Sequence, residues 1–134
     1  MKRFGLSANE RIKSRKDFEY IFSAGSSIYS ADGKIKSIFV FEKADESAAG
    51  VKIAAASGKK FGSAVWRNRF RRLVKNTYRL NKEFLLGVCT EKKILLKIIF
   101  SPNKLNERNN KKLYQEDILP GVLFIIDKIK RKLE

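Results

Sequence analysis

The side chains in this sequence with chemistry to offer are cations, and they gather in one stretch. Between Lys59 and Lys82 stand nine basic residues (Lys59, Lys60, Arg67, Arg69, Arg71, Arg72, Lys75, Arg79 and Lys82) and no acidic residue. Trp66, Phe70, Leu73, Thr77 and Leu80 recur in steps of four and three. Asn68, Arg72, Lys75, Arg79 and Lys82 repeat those steps on the far side of the same helix, at ~100° per residue. One side packs and the other presents charge. A merely solvated helix interleaves acids, because i,i+4 ion pairs help and like charges repel, and this one uses none. Arginine predominates, and its planar fork grips two phosphate oxygens at once or stacks on a base, which lysine cannot do. The chemistry indicated is recognition of a polyanion. Gly58 and Gly62 leave the backbone around Lys59 and Lys60 unobstructed, and the unpaired N–H groups of a helix N-terminus favour a phosphate. Glycines ahead of a helix are equally ordinary turn residues.

Catalysis by the protein itself is not indicated. Histidine is absent, which removes the commonest general base and metal ligand. The acids are scattered (Asp17, Asp32, Asp45, Glu91), and Glu116-Asp117 reads as the start of a helix. A single cysteine, Cys89, permits neither a disulfide framework nor a cysteine-rich zinc site and reads as a small buried apolar residue. Over the whole chain 30 lysines and arginines against 14 acids leave a net charge of +16. Such an excess repels itself in a compact chain and usually meets a polyanion, of which nucleic acid is the default. A hydrophobic content of 43% argues against a disordered, solvated tail. No stretch approaches the ~18 apolar residues of a membrane span, and the N-terminus lacks the apolar core of a signal peptide. A cytoplasmic chain with no membrane partner is expected.

The elements that must position these cations follow from periodicity. A length of 134 residues fits one domain. Residues 1–12, with Lys2, Arg3 and Arg11, read as a basic arm that orders on binding. Phe18, Ile21 and Phe22 at i, i+3 and i+4 predict a short helix after Ser14, stopped by Gly25. Ser26 to Gly33 reads as a turn-rich connector. Ile35 to Phe41 and Val51 to Ser57 read as strands, joined as a hairpin through Asp45 to Gly50. Ser63 is the expected cap of the long basic helix, which runs to about Lys82. Lys93 to Phe100, closed by Ser101-Pro102, reads as a buried strand of the same sheet. Asn103 to Lys112 reads as a polar loop, and the last helix spans Ile118 to Lys132 with Asp117 as cap and Pro120 in its first turn. The order αββαβα, with room for a further short strand, predicts an α+β fold, a two-layer α/β sandwich.

At the basic helix the sequence closely resembles the bacterial ribonuclease P protein family. That family's signature runs Lys-Lys-x-Gly-x-Ala-Val-x-Arg-Asn-Arg-x-Lys/Arg-Arg-Leu, and Lys59 through Leu73 satisfies every fixed position. The likeness also takes in Leu6, the Arg11 region and Asp17-Phe18 through Phe22 and Gly25, and fades beyond Arg79. Departures fall after the motif, where the family commonly has Arg-Glu or a similar pair and this chain has Lys75-Asn76, and before it, where the family has Ser-Lys-Lys and this chain has Ser57-Gly58-Lys59-Lys60. The resemblance implies the non-catalytic protein subunit of an endoribonuclease that matures the 5′ ends of precursor tRNAs. Its partners would be the ribonuclease P RNA and precursor tRNA. Cleavage would belong to the RNA and its Mg2+ ions, with no cofactor in the protein itself.

By the same resemblance, Arg67, Asn68, Arg69, Arg71, Arg72, Lys75 and Arg79 contact the catalytic RNA, with Lys59 and Lys60 beside them, and this helix makes a left-handed βαβ crossover. A cleft between the first helix and the sheet holds the single-stranded 5′ leader, and the matching residues are Phe18, Phe22 and, on the first strand, Phe41. Aromatics suit such a cleft, since stacking on a base contributes about 1 to 3 kcal/mol without demanding sequence. Phenylalanines at i and i+4 are as readily core residues. A ribosomal or ribosome-assembly protein would share the composition but not the Arg-Asn-Arg signature. DNA is not expected as a partner, because no helix-turn-helix pair or zinc spacing is present. A membrane-surface helix is disfavoured because the apolar face is needed for packing.

Overall fold

The computed structural model describes residues 10–134, so most of the expected basic arm lies outside the described residues. Helix α1 (Arg15–Ala24) follows Ser14 and buries Ile21. It stops at Gly25, where a Cβ would meet both the Ile21 carbonyl oxygen and Ile38 Cγ2 at 2.5 Å. Only glycine allows the chain to turn so closely against the sheet.

The segment expected as a turn-rich connector contains a strand, β1 (Ser26–Tyr29), which forms a hairpin with β2 (Ile35–Lys43). Serines hid it. Ser30 Oγ accepts from Ile35 N–H at 3.0 Å and donates to Asp32 at 2.8 Å, and Gly33, at φ 75°, closes the turn. The hairpin expected between Ile35–Phe41 and Val51–Ser57 does not form. β3 (Gly50–Ala55) and β2 are separated by β4 (Ile94–Pro102), giving the order β1-β2-β4-β3. β4 is antiparallel to β2 and parallel to β3. A parallel pair needs a crossover with helical content, here α2 (Ala64–Asn81) followed by α3 (Glu83–Lys92). Outside β3, Ile12 N–H donates to the Ile53 carbonyl at 3.0 Å, covering part of that edge.

α3 was not expected. Gly87 in its middle reads as a breaker, and its apolar residues keep no single period. Lys82 stays in right-handed helical conformation between α2 and α3, so the chain kinks without unwinding. The last helix, α4 (Gln115–Leu133), begins three residues earlier than expected. Asp117 lies one turn inside it, where its carboxylate accepts from Tyr114 N–H at 2.8 Å. Pro120 consequently falls in the second turn.

The sheet's two faces are covered differently. Phe39, Ile53, Leu96, Ile98 and Phe100 join Phe70, Val74 and Tyr78 of α2, Leu85 and Cys89 of α3, and Ile118, Val122 and Ile125 of α4 in the main core. On the other face Ala54 and Ile99 meet Ile12 and Ile21, with Phe18, Ile38 and Val40 packed alongside. This is the expected α+β arrangement, with α1 and the segment around Ile12 laid across the second face. No helix among the described residues is long and apolar enough to cross a membrane.

Candidate nucleic-acid interface

α2 is fixed by its own sequence before it presents any charge. Ser63 Oγ accepts from Trp66 N–H at 3.3 Å, as expected of its cap. Trp66, Phe70, Val74, Thr77 and Tyr78 form the buried side. Leu80, expected there, is 55% exposed, because Val74 and Tyr78 point inward instead as the buried stripe drifts round the helix. Trp66 and Phe70 stack at 6.1 Å, and Thr77 Oγ1 accepts from the Gln115 side chain of α4. Two signature arginines also set the local backbone. Arg67 Nε donates to the Gly62 carbonyl at 3.1 Å, and Arg69 Nε donates to the Leu113 carbonyl.

The loop between β4 and α4 occupies the place where sequence reasoning allowed a phosphate. Glu107 accepts from Ser63 N–H at 2.8 Å and Ser63 Oγ at 3.3 Å, while its own N–H donates to the Phe61 carbonyl at 2.7 Å. The positive end of α2 is thus partly met by an internal carboxylate. Gly62 makes room for this: a Cβ there would meet Glu107 Cβ at 2.9 Å and the Trp66 ring at 3.1 Å.

On the outer side of α2, Asn68 and Arg72 are exposed, and Arg67, Arg69, Arg71, Lys75 and Arg79 are half-buried. Arg71 donates to Asn68 Oδ1 and Arg79 to Asn76 Oδ1, which orders the guanidinium groups along the helix. Lys59 and Lys60 are exposed on a short 3-10 turn, Lys59–Phe61, with the Lys60 ammonium 5.1 Å from the Phe61 ring. Lys82, assigned to the charged face by spacing, is paired with Glu10 at 3.0 Å. Burial lowers the pKa of Lys75, and the neighbouring Arg11 and Arg71 lower it further.

Lys75 also faces a second surface. A groove of ≈ 260 Å³ is lined by Arg11, Lys13, Phe18, Ala54 and Lys75 among others, so the helix face and the α1 side of the sheet meet there. Phe18 and Phe22 stack with ring centroids 6.5 Å apart. Phe18 packs against the sheet, while Phe22 is 53% exposed. Phe41 is not brought to them. It pairs across the strands with Leu96, a main-core residue, and so takes the opposite face of the sheet, where it is 51% exposed. Sequence reasoning missed Lys52 and Lys97, which lie side by side in register on the α1 face. Lys97 pairs with Asp17 of α1 at 3.2 Å. Strict alternation would have found them: Lys52 and Ala54 share a parity, as do Lys97 and Ile99.

Comparison with known proteins bears on this geometry. The family model for ribonuclease P matches residues 6–118. The chain belongs to the ribonuclease P protein family. It is similar to the ribonuclease P protein component of Porphyromonas gingivalis, 32% identical over 99 residues that cover 72% of this chain and 69% of that one. The corresponding component of Petrotoga mobilis is 30% identical over 126 residues, 93% of this chain and 92% of that one. Among solved structures, the fold is similar to the RNase P protein of Staphylococcus aureus (21% identity, TM-score 0.64, 93% of this chain and 98% of that one). It is also similar to that of Thermotoga maritima (23%, TM-score 0.64, 91% and 96%). The ribonuclease P match spans α1, the whole sheet and α2, hence both surfaces described above. It supports a role as a subunit of ribonuclease P in tRNA processing, and the ribosomal reading falls away.

Proposed function

We propose that α2 docks this subunit onto the catalytic RNA of ribonuclease P while the α1 face of the sheet holds the 5′ leader of precursor tRNA. The observation that carries this reading is Lys75, which stands on the arginine helix and lines the groove with Phe18. Arg67, Asn68, Arg69, Arg71, Arg72, Lys75 and Arg79, with Lys59 and Lys60, would supply the RNA contacts, and counterion release would make binding strongly salt-dependent. Phe18 and Phe22 offer ring faces for stacking, and Lys52 offers charge to a single strand's backbone, while Lys97 beside it is already paired with Asp17. Phe41, on the other sheet face, is left out of this cleft.

In this mechanism the protein's groups hold and screen rather than cleave. Two RNAs brought together repel, and a wedge of cations between them lowers that repulsion. The cleavage chemistry would lie in the RNA subunit with Mg2+. Arg67 and Arg69 also hold protein carbonyls, so the informative substitution is Arg71→Ala/Arg72→Ala. Wild type should restore cleavage of a precursor tRNA by a bacterial ribonuclease P RNA at low Mg2+, and the variant should restore it roughly 10-fold or more less well. Folded wild type that leaves cleavage unchanged would sink the proposal.

A further inference from the structure

The loop from Asn103 to Leu113 has no helix or strand of its own, yet it is held in place along its length. Leu105 and Leu113 are fully buried at its two ends. Asn103 and Leu105 N–H groups donate to the Lys34 carbonyl, and Asn110 N–H donates to the Asn106 carbonyl at 2.8 Å. Three contacts then tie it to the first turns of α2 in step: Ser63 to Glu107, Trp66 Nε1 to the Asn110 carbonyl at 2.8 Å, and Arg69 Nε to the Leu113 carbonyl. Positions 63, 66 and 69 form one edge of the helix, so the loop runs alongside it.

What the loop presents outward is charge. Lys104, Arg108, Lys111 and Lys112 are all exposed and enter none of the ion pairs among the described residues. Its one acid, Glu107, is turned inward onto Ser63. A groove of ≈ 330 Å³ separates Arg108 and Glu107 from Lys59 and Lys60. The loop ordering that normally opposes binding is small where the backbone is already fixed. Phe18 and its groove lie with β3 and Lys75, whereas the loop follows the helix edge that continues toward α4. α2 therefore has cations on both flanks.

We infer that the 103–113 loop is a second RNA-binding element of this subunit, in which Arg108, Lys111 and Lys112 contact backbone phosphates of the same RNA that α2 docks onto. This rests on the proposed RNA role of α2 and extends it: the arginine helix becomes the middle of the interface rather than its border. The contacts are to phosphate, so they add affinity and salt dependence without reading bases.

The test is the salt dependence of binding to a bacterial ribonuclease P RNA, measured for wild type, Arg71→Ala/Arg72→Ala and Arg108→Gln/Lys111→Gln/Lys112→Gln. The loop variant should bind roughly 10- to 100-fold more weakly near 0.1 M monovalent salt, with the slope of log K against log salt reduced by about 2 to 3. Arg108→Lys/Lys111→Arg/Lys112→Arg should restore the slope. The preference for a substrate with a 5′ leader over one without should be the same in all loop variants, since the cleft is untouched. Unchanged affinity and slope in a loop variant that melts like wild type, while the α2 variant loses both, would overturn the inference and leave the α2 reading standing. Wild type that binds this RNA no more tightly than an unrelated RNA would instead overturn the reading of α2 and the inference with it.

Discussion

Lys75 shows how the proposed binding surface works against the fold that carries it. Its ammonium is held below its usual pKa by partial burial, then by Arg11 and Arg71, so the free protein keeps a charge where charge is disfavoured. A phosphate placed there would relieve the conflict. Lys75→Met, which keeps the apolar stem, should raise the melting temperature of the free protein at pH 7 by roughly 2 °C or more, and weaken RNA binding several-fold. The sign with pH follows from linkage. A lysine whose pKa falls on folding binds fewer protons folded than unfolded, so wild-type stability climbs with pH between the lowered value and the usual 10.5. The advantage of Lys75→Met should therefore shrink between pH 7 and pH 10. A variant that melts below wild type at pH 7 would contradict this account. Cys89 has no such part: burial pushes its thiol up to about 11, which leaves it protonated and unreactive at neutral pH.

At the scale of elements, α3 makes the most direct test. Gly87 sits inside it with open space around it, since a Cβ there would have nothing within 4 Å. Gly87→Ala should stabilise the protein by about 0.5 to 1 kcal/mol by removing backbone freedom from the unfolded chain. Denaturant titration reads this directly, and a lower midpoint with an unchanged slope would show that the glycine has a role the packing does not reveal. The same residue shows why α3 was illegible from sequence: a central glycine and apolar residues spread round the helix are what the tertiary fold tolerates, not what local pattern announces. β1 was hidden for a related reason. Its pairing with β2 is made by backbone groups, and its serines suit an edge strand as well as a turn. The hairpin expected between β2 and β3 failed because no local signal says that a strand beginning at Ile94, far beyond Ala55, will insert between them. What was legible obeyed a strong period or cap: α1, the body of α2 with Ser63, and β4. Of the candidate site, the cations of α2 except Lys82 were readable from spacing, whereas spacing gave Phe18 and Phe22 only as one helix face and the family resemblance gave them as a pair in the cleft. Phe41 was misplaced, because face assignment needs the register with β4. Glu107's hold on Ser63 spans 44 residues and has no signature in sequence.

Across the whole molecule the governing quantity is the surplus of cations. The chain has 30 of them, and the ion pairs found among the described residues engage five: Arg15, Lys82, Lys93, Lys97 and Arg131. With 14 acids against 30 cations, a net charge of +16 is left over, and cations lie densely on α2 and on the loop beside it. Self-repulsion at that density opposes the compact state and is relieved by screening, with a Debye length of about 30 Å at 0.01 M salt and about 10 Å at 0.1 M. The free protein should accordingly melt several degrees higher in ~0.5 M potassium chloride than in ~0.02 M, the reverse of what a fold held by surface ion pairs would show. Bound RNA should do the same work more strongly at low salt, because it binds the native state more tightly than the unfolded chain and neutralises the same charges. The two melting curves, with and without RNA, should then converge as chloride rises and the RNA dissociates. Calorimetry across that range decides the matter. A free protein whose melting temperature falls with added chloride would mean that the cations are not in conflict with one another. An RNA increment that ignores salt would mean that phosphate contacts are not what holds the complex.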